Sequence, residues 1–209
     1  MICVIITDIQ NTERDCRDMR QPLSLLTSEL REYVDKTKNE KAKRERIYAY
    51  STLLLSLKKL FSIDNPIILK NENGKPYILG SKVYFNISHS DGVAVVAISD
   101  EGEVGIDVQS PVCEEKEKRL CTRFLNNIEI KNDCFSISYF LCENGELRKF
   151  TPELSTKNDF LSRWTFAEAN IKCKGKTFSD ISMVNELSNT TLSQTTNYKS
   201  FKVTTVVEK

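Results

Sequence analysis

Histidine is nearly absent from this sequence: His89 is the only one in 209 residues, so any imidazole chemistry falls on a single position. Excess charge of one sign is absent as well. Lys plus Arg number 30 and Asp plus Glu 29, a balance that gives no argument for nucleic acid or membrane as a partner; neither is expected. Cysteine is present seven times (Cys3, Cys16, Cys113, Cys121, Cys134, Cys142, Cys173), but no Cys-x-x-Cys pair occurs. The odd number and wide spacing point to neither a zinc site nor a disulfide framework. Long apolar runs are missing, and none approaches the roughly 20 residues of a membrane span. The start of the chain, Met1 to Asp8, has too short an apolar run and no basic prefix for a secretory signal. A reduced, cytoplasmic protein is expected. Internal repeats are not visible, and 209 residues suit one domain or two small ones, enough to bury roughly 70% of the unfolded surface without staples.

What is there is concentrated between Tyr84 and Gln109. Phe85, Ile87, Val93, Val95, Ala97 and Ile98 form two short apolar runs about the turn residues Ser90-Asp91-Gly92, which predicts a strand, a tight turn and a second strand. Asp100 to Glu103 then reverses the chain into a third, Val104 to Val108. Two polar features interrupt this pattern: Ser88-His89, and Asp107 inside the third strand. Taken singly, each has an ordinary explanation, a hydrogen-bonded turn histidine and a capping aspartate. Ser88 and His89 cannot form a nucleophile–base dyad within one strand, because neighbouring side chains point to opposite faces.

Elsewhere the pattern predicts a first strand over Ile2–Ile9 ending at Asp8. A short amphipathic helix is expected over Pro22–Tyr33, from Leu23, Leu26, Leu30 and Tyr33 at helical spacing. Lys36–Arg46 is a charge run expected to be a solvated helix face, continuing through Ile47 to Phe61 as a long helix whose second half is buried. Asn71 to Tyr77 reads as a turn and Cys113 to Phe124 as a charged helix with Leu120 and Phe124 inward. Apolar residues on either side of Asn144-Gly145 predict a β-hairpin. A helix is expected from Thr165 to Lys174, with Thr165-x-x-Glu168 as a capping box, Glu168 and Lys172 as an i,i+4 pair and Gly175 as its end. After Ser179, strands are expected around a mobile hairpin.

Phe85-Asn86-Ile87-Ser88-His89-Ser90, followed by Gly105-Ile106-Asp107-Val108, closely resembles a motif of the 4'-phosphopantetheinyl transferases of the larger, single-chain (Sfp-type) class. Arg163-Trp164-Thr165-Phe166-Ala167-Glu168-Ala169-Asn170-Ile171-Lys172 resembles that family's Trp-Ser/Thr-x-Lys-Glu-Ala/Ser-x-x-Lys block, and Arg123 to Glu129 its Arg-Phe-Phe-x-x-x-Glu segment. Two motifs in the right order are far more specific than one. The resemblance implies an α+β fold of two similar α/β halves about a pseudo-twofold axis, here residues 1–108 and 109–209, joined at Val108 to Pro111.

It also implies an enzyme, a holo-[acyl-carrier-protein] synthase. Such an enzyme moves the 4'-phosphopantetheine arm of coenzyme A to a serine of an apo acyl or peptidyl carrier protein with Mg2+, releasing 3',5'-ADP. By resemblance Asp107, Glu168 and Gln109 are the metal ligands; Glu168, His89 and Lys172 are catalytic; and Gly74, Lys75, Pro76, Ser88, His89 and Lys172 bind coenzyme A, with Lys75 near the 3'-phosphate. A monomer is expected. Three positions depart from the family. Gln109 stands where a third carboxylate is frequent, and Ala167 replaces a lysine. Ser51 occupies the place of a phosphate-binding arginine, for which Arg44 or Arg46 could substitute. The alternative is a degenerate homologue that binds coenzyme A or a carrier protein without transfer; a third is a plain interaction domain in which the capping box and the strands are purely structural.

Overall fold

Two strands with no polar face lie at the centre of the structure. All seven residues of β1 (Ile2–Asp8) are buried, as are all seven of β5 (Val93–Ser99), which requires cover on both sides of their sheet. The computed structural model describes residues 1–10, 20–125 and 128–208; Cys16 and the Asn126-Asn127 pair of the Arg123–Glu129 segment lie outside them. The first sheet has the order β4 (Tyr84–Ser90), β5, β1, β7 (Ser138–Glu143), β8 (Glu146–Phe150). Here β1 runs antiparallel to β5 and parallel to β7. A second sheet is ordered β6 (Val104–Gln109), β11 (Phe201–Glu208), β10 (Thr191–Tyr198), β9 (Glu153–Leu154), all antiparallel. In a small hairpin, β2 (Ile68–Lys70) with β3 (Pro76–Ile78), the turn expected over Asn71 to Tyr77 is shorter, because Pro76 and Tyr77 already belong to β3.

Alternation sorts the strand residues into layers. Cys3, Ile5, Val96 and Ile98 face Leu30, Val34, Leu53 and Leu57, from helices α2 (Ser28–Asp35) and α3 (Glu40–Phe61). Ile2, Val4, Ile6, Val93 and Val95 face the other way, onto Val104, Ile106, Val108, Val203 and Val207 of the second sheet. The outer side of that sheet takes helix α5 (Phe160–Cys173) through Ala169, Cys173 and Val206. The fold is mixed α and β, in the sequence helix, sheet, sheet, helix. No helix among the described residues is long and apolar enough to cross a membrane.

Several expectations hold. β1 ends at Asp8. Asp91 and Gly92, both at positive φ, turn β4 into β5, and Asn144-Gly145, both at positive φ, turn β7 into β8, as two-residue hairpins favour. That second hairpin extends the first sheet beside β1. The charged helix is α4 (Glu114–Leu120), followed by a π-helical turn over Cys121–Leu125.

Others are corrected. The helix expected over Pro22–Tyr33 is two, α1 (Arg20–Leu25) and α2, because the Thr27 hydroxyl accepts from the Leu30 amide and starts a new helix. The third strand of the Tyr84–Val108 run leaves the first sheet and opens the second. Strands do follow Ser179, but most of the Ser/Thr/Asn-rich stretch expected to be a mobile hairpin is itself paired strand, β10. Its hydroxyls are buried and satisfied: Thr195 meets Thr204 at 2.9 Å, and Thr191 donates to Asn170 Oδ1 at 2.9 Å.

The two sheets are stitched along β4 and β6 by side chains. Asn86 Oδ1 accepts from the Ile106 amide at 3.1 Å, Ser88 Oγ from Val108 at 3.4 Å and Ser90 Oγ from Ser110 at 3.2 Å. The partners keep a constant offset of 20 residues, so the two strands run in the same direction. The alternate residues of Asn-Ile-Ser-His-Ser therefore serve as a ladder built from side chains. Asn86→Ala leaves the Ile106 N–H buried without an acceptor, and the expected loss is about 1–3 kcal/mol, read as a lower urea midpoint with an unchanged slope. Ser90→Ala, at the partly exposed end of the seam, is expected to lose less.

Candidate active site

Because β4 alternates, its two candidate residues reach different partners. Ser88 points to the second sheet, where its hydroxyl donates to Asp107 Oδ1 at 2.8 Å. Lys172 Nζ completes this cluster, 2.6 Å from Asp107 Oδ1 and 3.1 Å from Ser88 Oγ. His89 points to α3, with Nδ1 2.7 Å from Glu45 Oε2. The other oxygen of Glu45 accepts from the Gly92 amide at 2.8 Å. Burial pushes the Glu45 carboxyl up, but the hydrogen bonds from His89 and Gly92 outweigh it and hold the group below the ordinary carboxylate range.

Glu45 belongs to the charge run expected to be a solvated helix face, yet it is buried. The correction follows from helical spacing. Glu45, Tyr48, Ala49 and Thr52 lie at i, i+3, i+4 and i+7, one stripe, and all four are buried.

Helix α5 corrects a second expectation. It starts eleven residues after Arg148-Lys149, at Phe160, with Asp159 as N-cap accepting from the Ser162 amide at 2.9 Å. Thr165 is therefore an interior residue rather than a cap. Its hydroxyl bonds the Leu161 carbonyl at 2.9 Å and Thr204 Oγ1 at 2.7 Å. Glu168 has no capping duty and stands in mid-helix, facing the cleft. Burial and then the charge of Asp107 push its carboxyl up to about 7, with Lys172 pulling the other way.

Gly105 lets this helix come close enough. A Cβ there would lie 2.1 Å from the Ala169 carbonyl oxygen, so only glycine permits β6 and α5 to touch backbone to backbone. Asp107, two residues on and on the same face, then meets Lys172.

Ser88, His89, Asp107, Gln109, Glu168 and Lys172 border one cleft of about 460 Å³, together with Gly74, Pro76 and Trp164. A second cluster on the same cleft is cationic and aromatic. Lys70 Nζ lies 4.2 Å and Arg46 Cζ 5.8 Å from the centre of the Tyr33 ring, which itself meets Tyr50 edge to face. Tyr33 and Lys70 carried no motif, and only the folded chain reveals them as cleft residues.

Other positions fall elsewhere. Lys75 turns away from the cleft, with its ammonium 2.5 Å from both Glu103 Oε2 and the Cys173 carbonyl oxygen. Ser51 is buried, donates to the Tyr48 carbonyl and borders a separate cavity of about 40 Å³. Of the basic residues near it, Arg46 reaches the cleft, while Arg44 is exposed. Ala167 packs with Phe160, Phe166 and Ile171 in an apolar cluster, so the lysine missing there leaves no gap among the polar groups.

Among the described residues, no group of three or more His, Cys, Asp or Glu is arranged to hold a metal. The donor chemistry of the cleft nevertheless suits one hard cation. Asp107 and Glu168 are close enough for one charge to raise the other's affinity for a proton, and an oxygen-seeking divalent ion binds through one or two carboxylates, an amide oxygen such as that of Gln109, substrate phosphates and water.

Glu168 makes stability depend on pH. Its folded-state value is raised, so the folded protein keeps this proton to higher pH than the unfolded chain, and stability falls as pH rises from about 4.5 to about 7, levelling above that. In EDTA, Glu168→Gln is expected to exceed the wild type by about 1–3 kcal/mol near pH 8 and by little near pH 4, as measured by urea unfolding.

No family model matches the chain. It is similar to the 4'-phosphopantetheinyl transferase AcpT of Salmonella typhi, 32% identical over 111 residues, which are 53% of this chain and 50% of that protein. It is equally similar to the 4'-phosphopantetheinyl transferase gsp of Aneurinibacillus migulanus, 32% identical over 114 residues, 54% of this chain and 40% of that protein. The chain spans about half the length of the curated relatives it matches, or less. These relatives support the 4'-phosphopantetheinyl transferase superfamily, the resemblance drawn from the two motifs.

Proposed function

We propose, from the likeness to the 4'-phosphopantetheinyl transferase superfamily, that this chain transfers the 4'-phosphopantetheine arm of coenzyme A to a serine of an apo carrier protein. The observation that carries this reading is convergence: Ser88 and His89 from β4, Asp107 from β6, and Glu168 and Lys172 from α5 meet on one cleft. The reading includes the family's two-half architecture, which is supported by α3 covering one sheet and α5 the other.

In the reaction, the serine oxygen of the carrier bonds to the nearer pyrophosphate phosphorus of coenzyme A. The bridging P–O bond breaks, and its electron pair leaves with 3',5'-ADP. Little covalent work falls to the protein, so catalysis is positioning and charge neutralisation. Glu168 takes the serine proton, directly or through water. Lys172, held against Asp107 and Ser88 in the free protein, turns to the pyrophosphate oxygens, and His89 faces them from the other side of β4. Asp107, Glu168 and the Gln109 amide oxygen would hold magnesium, which supplies further charge neutralisation at the pyrophosphate. Arg46 and Lys70 offer two more cations on the same cleft for the phosphates of the nucleotide end.

One observation favours a second reading, a binder of coenzyme A without transfer: among the described residues, Gln109 leaves only two carboxylates lining the cleft. Mass spectrometry of an apo acyl carrier protein incubated with the chain, coenzyme A and magnesium separates the two. Transfer is expected to add the mass of one phosphopantetheine group, to fail in EDTA and to be abolished by Asp107→Ala. Coenzyme A binding with no mass gain on several unrelated carriers would overturn transfer in favour of the binder. Arg46→Ala is expected to raise KM for coenzyme A roughly tenfold with kcat nearly unchanged.

A further inference from the structure

Beyond the motif residues, Glu45 has a geometry that ordinary helix stability does not explain. It is buried on α3, and both of its oxygens are committed: Oε1 accepts from the Gly92 amide and Oε2 lies 2.7 Å from His89 Nδ1. An ionised carboxylate can only accept, so at this contact the imidazole must donate. Nδ1 therefore carries the proton, and Nε2 is the nitrogen left for the cleft that His89 borders.

Charged groups near the pair include Lys41 and Asp107, each with a partner of its own. Lys41 lies one turn before Glu45 on α3 but pairs with exposed Asp91 from the β4–β5 turn. Across β4, Asp107 is engaged by Ser88 and Lys172. The amide of Gln109, on β6, donates to the Ser110 carbonyl at 3.2 Å. The carboxylate of Glu45 is thus the acceptor that sets the ring.

We infer that Glu45 is a positioning residue that fixes His89 in the Nδ1–H form and aims Nε2 at the cleft. A ring held this way presents a fixed nitrogen, Nε2, to the cleft, as carboxylate-backed histidines do in other sites. The consequence for transfer rests on the proposed function; the positioning itself does not.

Glutamine is the discriminating substitution. Its single carbonyl oxygen cannot accept from both Gly92 and His89. If it keeps the buried Gly92 amide satisfied, its NH2 group faces Nδ1 and forces that nitrogen to accept, which moves the ring proton to Nε2. Because His89 is the only histidine, one set of imidazole signals in a two-bond 1H–15N correlation spectrum of the full chain reports the answer without assignment. In the wild type the neutral ring is expected to be protonated at Nδ1, and in Glu45→Gln at Nε2. A wild-type neutral ring protonated at Nε2, or the same tautomer in both proteins, would overturn the inference.

In the transfer assay Glu45→Gln is expected to lose roughly 10–100-fold in kcat. Adding Glu45→Gln to His89→Ala should cost little more than His89→Ala alone; a full additive loss would also count against positioning. If no carrier is modified even by the wild type, the transfer reading fails while the tautomer measurement still decides the role of Glu45.

Discussion

Three side-chain-to-backbone hydrogen bonds set the geometry of everything else in the cleft. Asn86, Ser88 and Ser90 reach from the edge of one sheet to the amides of Ile106, Val108 and Ser110 at the edge of the other. Backbone pairing between these strands would bring them to ladder distance and leave no room between them. Side chains hold them wider apart and still satisfy buried amides, which would otherwise be costly. Because side-chain direction has period two, the same ladder that joins the sheets decides that Ser88 faces Asp107 and that His89 faces Glu45.

The electrostatics of the site follow from that placement. Asp107 and Glu168 are drawn together by a helix that touches the sheet at Gly105, and Lys172 compensates one of them. Burial first, and then the charge of Asp107, are expressed in the raised carboxyl of Glu168. On the other face, the Glu45 carboxylate is stabilised by two donors and stays ionised. One strand thus separates a carboxylate whose affinity for a proton is raised from one whose affinity is lowered.

Much of this was legible in the sequence wherever a local pattern and a motif agreed. The hairpin at Asp91-Gly92, the turn at Asn144-Gly145 and the end of α5 at Gly175, at positive φ, follow from residues that tolerate left-handed backbone. Glu45 was hidden because a charge amid charges looks solvated, and only the stripe it shares with Tyr48, Ala49 and Thr52 betrays it. Thr165 read as a cap because threonine three residues before glutamate is a capping pattern; Asp159 upstream competes for that role and wins. The Ser/Thr-rich part of β10 read as the mobile part of a hairpin because hydroxyls also suit loops, and what makes it a strand is its pairing with β11 and β9. Tyr33 and Lys70 lie 37 residues apart and face each other only across the folded chain, a distance no local pattern spans.

The course of the chain between the sheets has a consequence for its assembly. The chain leaves the first sheet at β6, returns for β7 and β8 and leaves again at β9. β1, first in sequence, pairs on one side with β5 and on the other with β7, a strand that is made only after β6 has departed for the second sheet. Until Ser138–Glu143 arrives, β1 presents one unpaired edge of buried-type residues, Cys3 to Ile6, the kind of edge that invites wrong partners. Parallel pairing across so long a loop is slow to form. A cut near residue 109 would therefore not release two self-sufficient pieces. It would separate β1 from β7 and β6 from β11, because each sheet draws strands from both sides of that point.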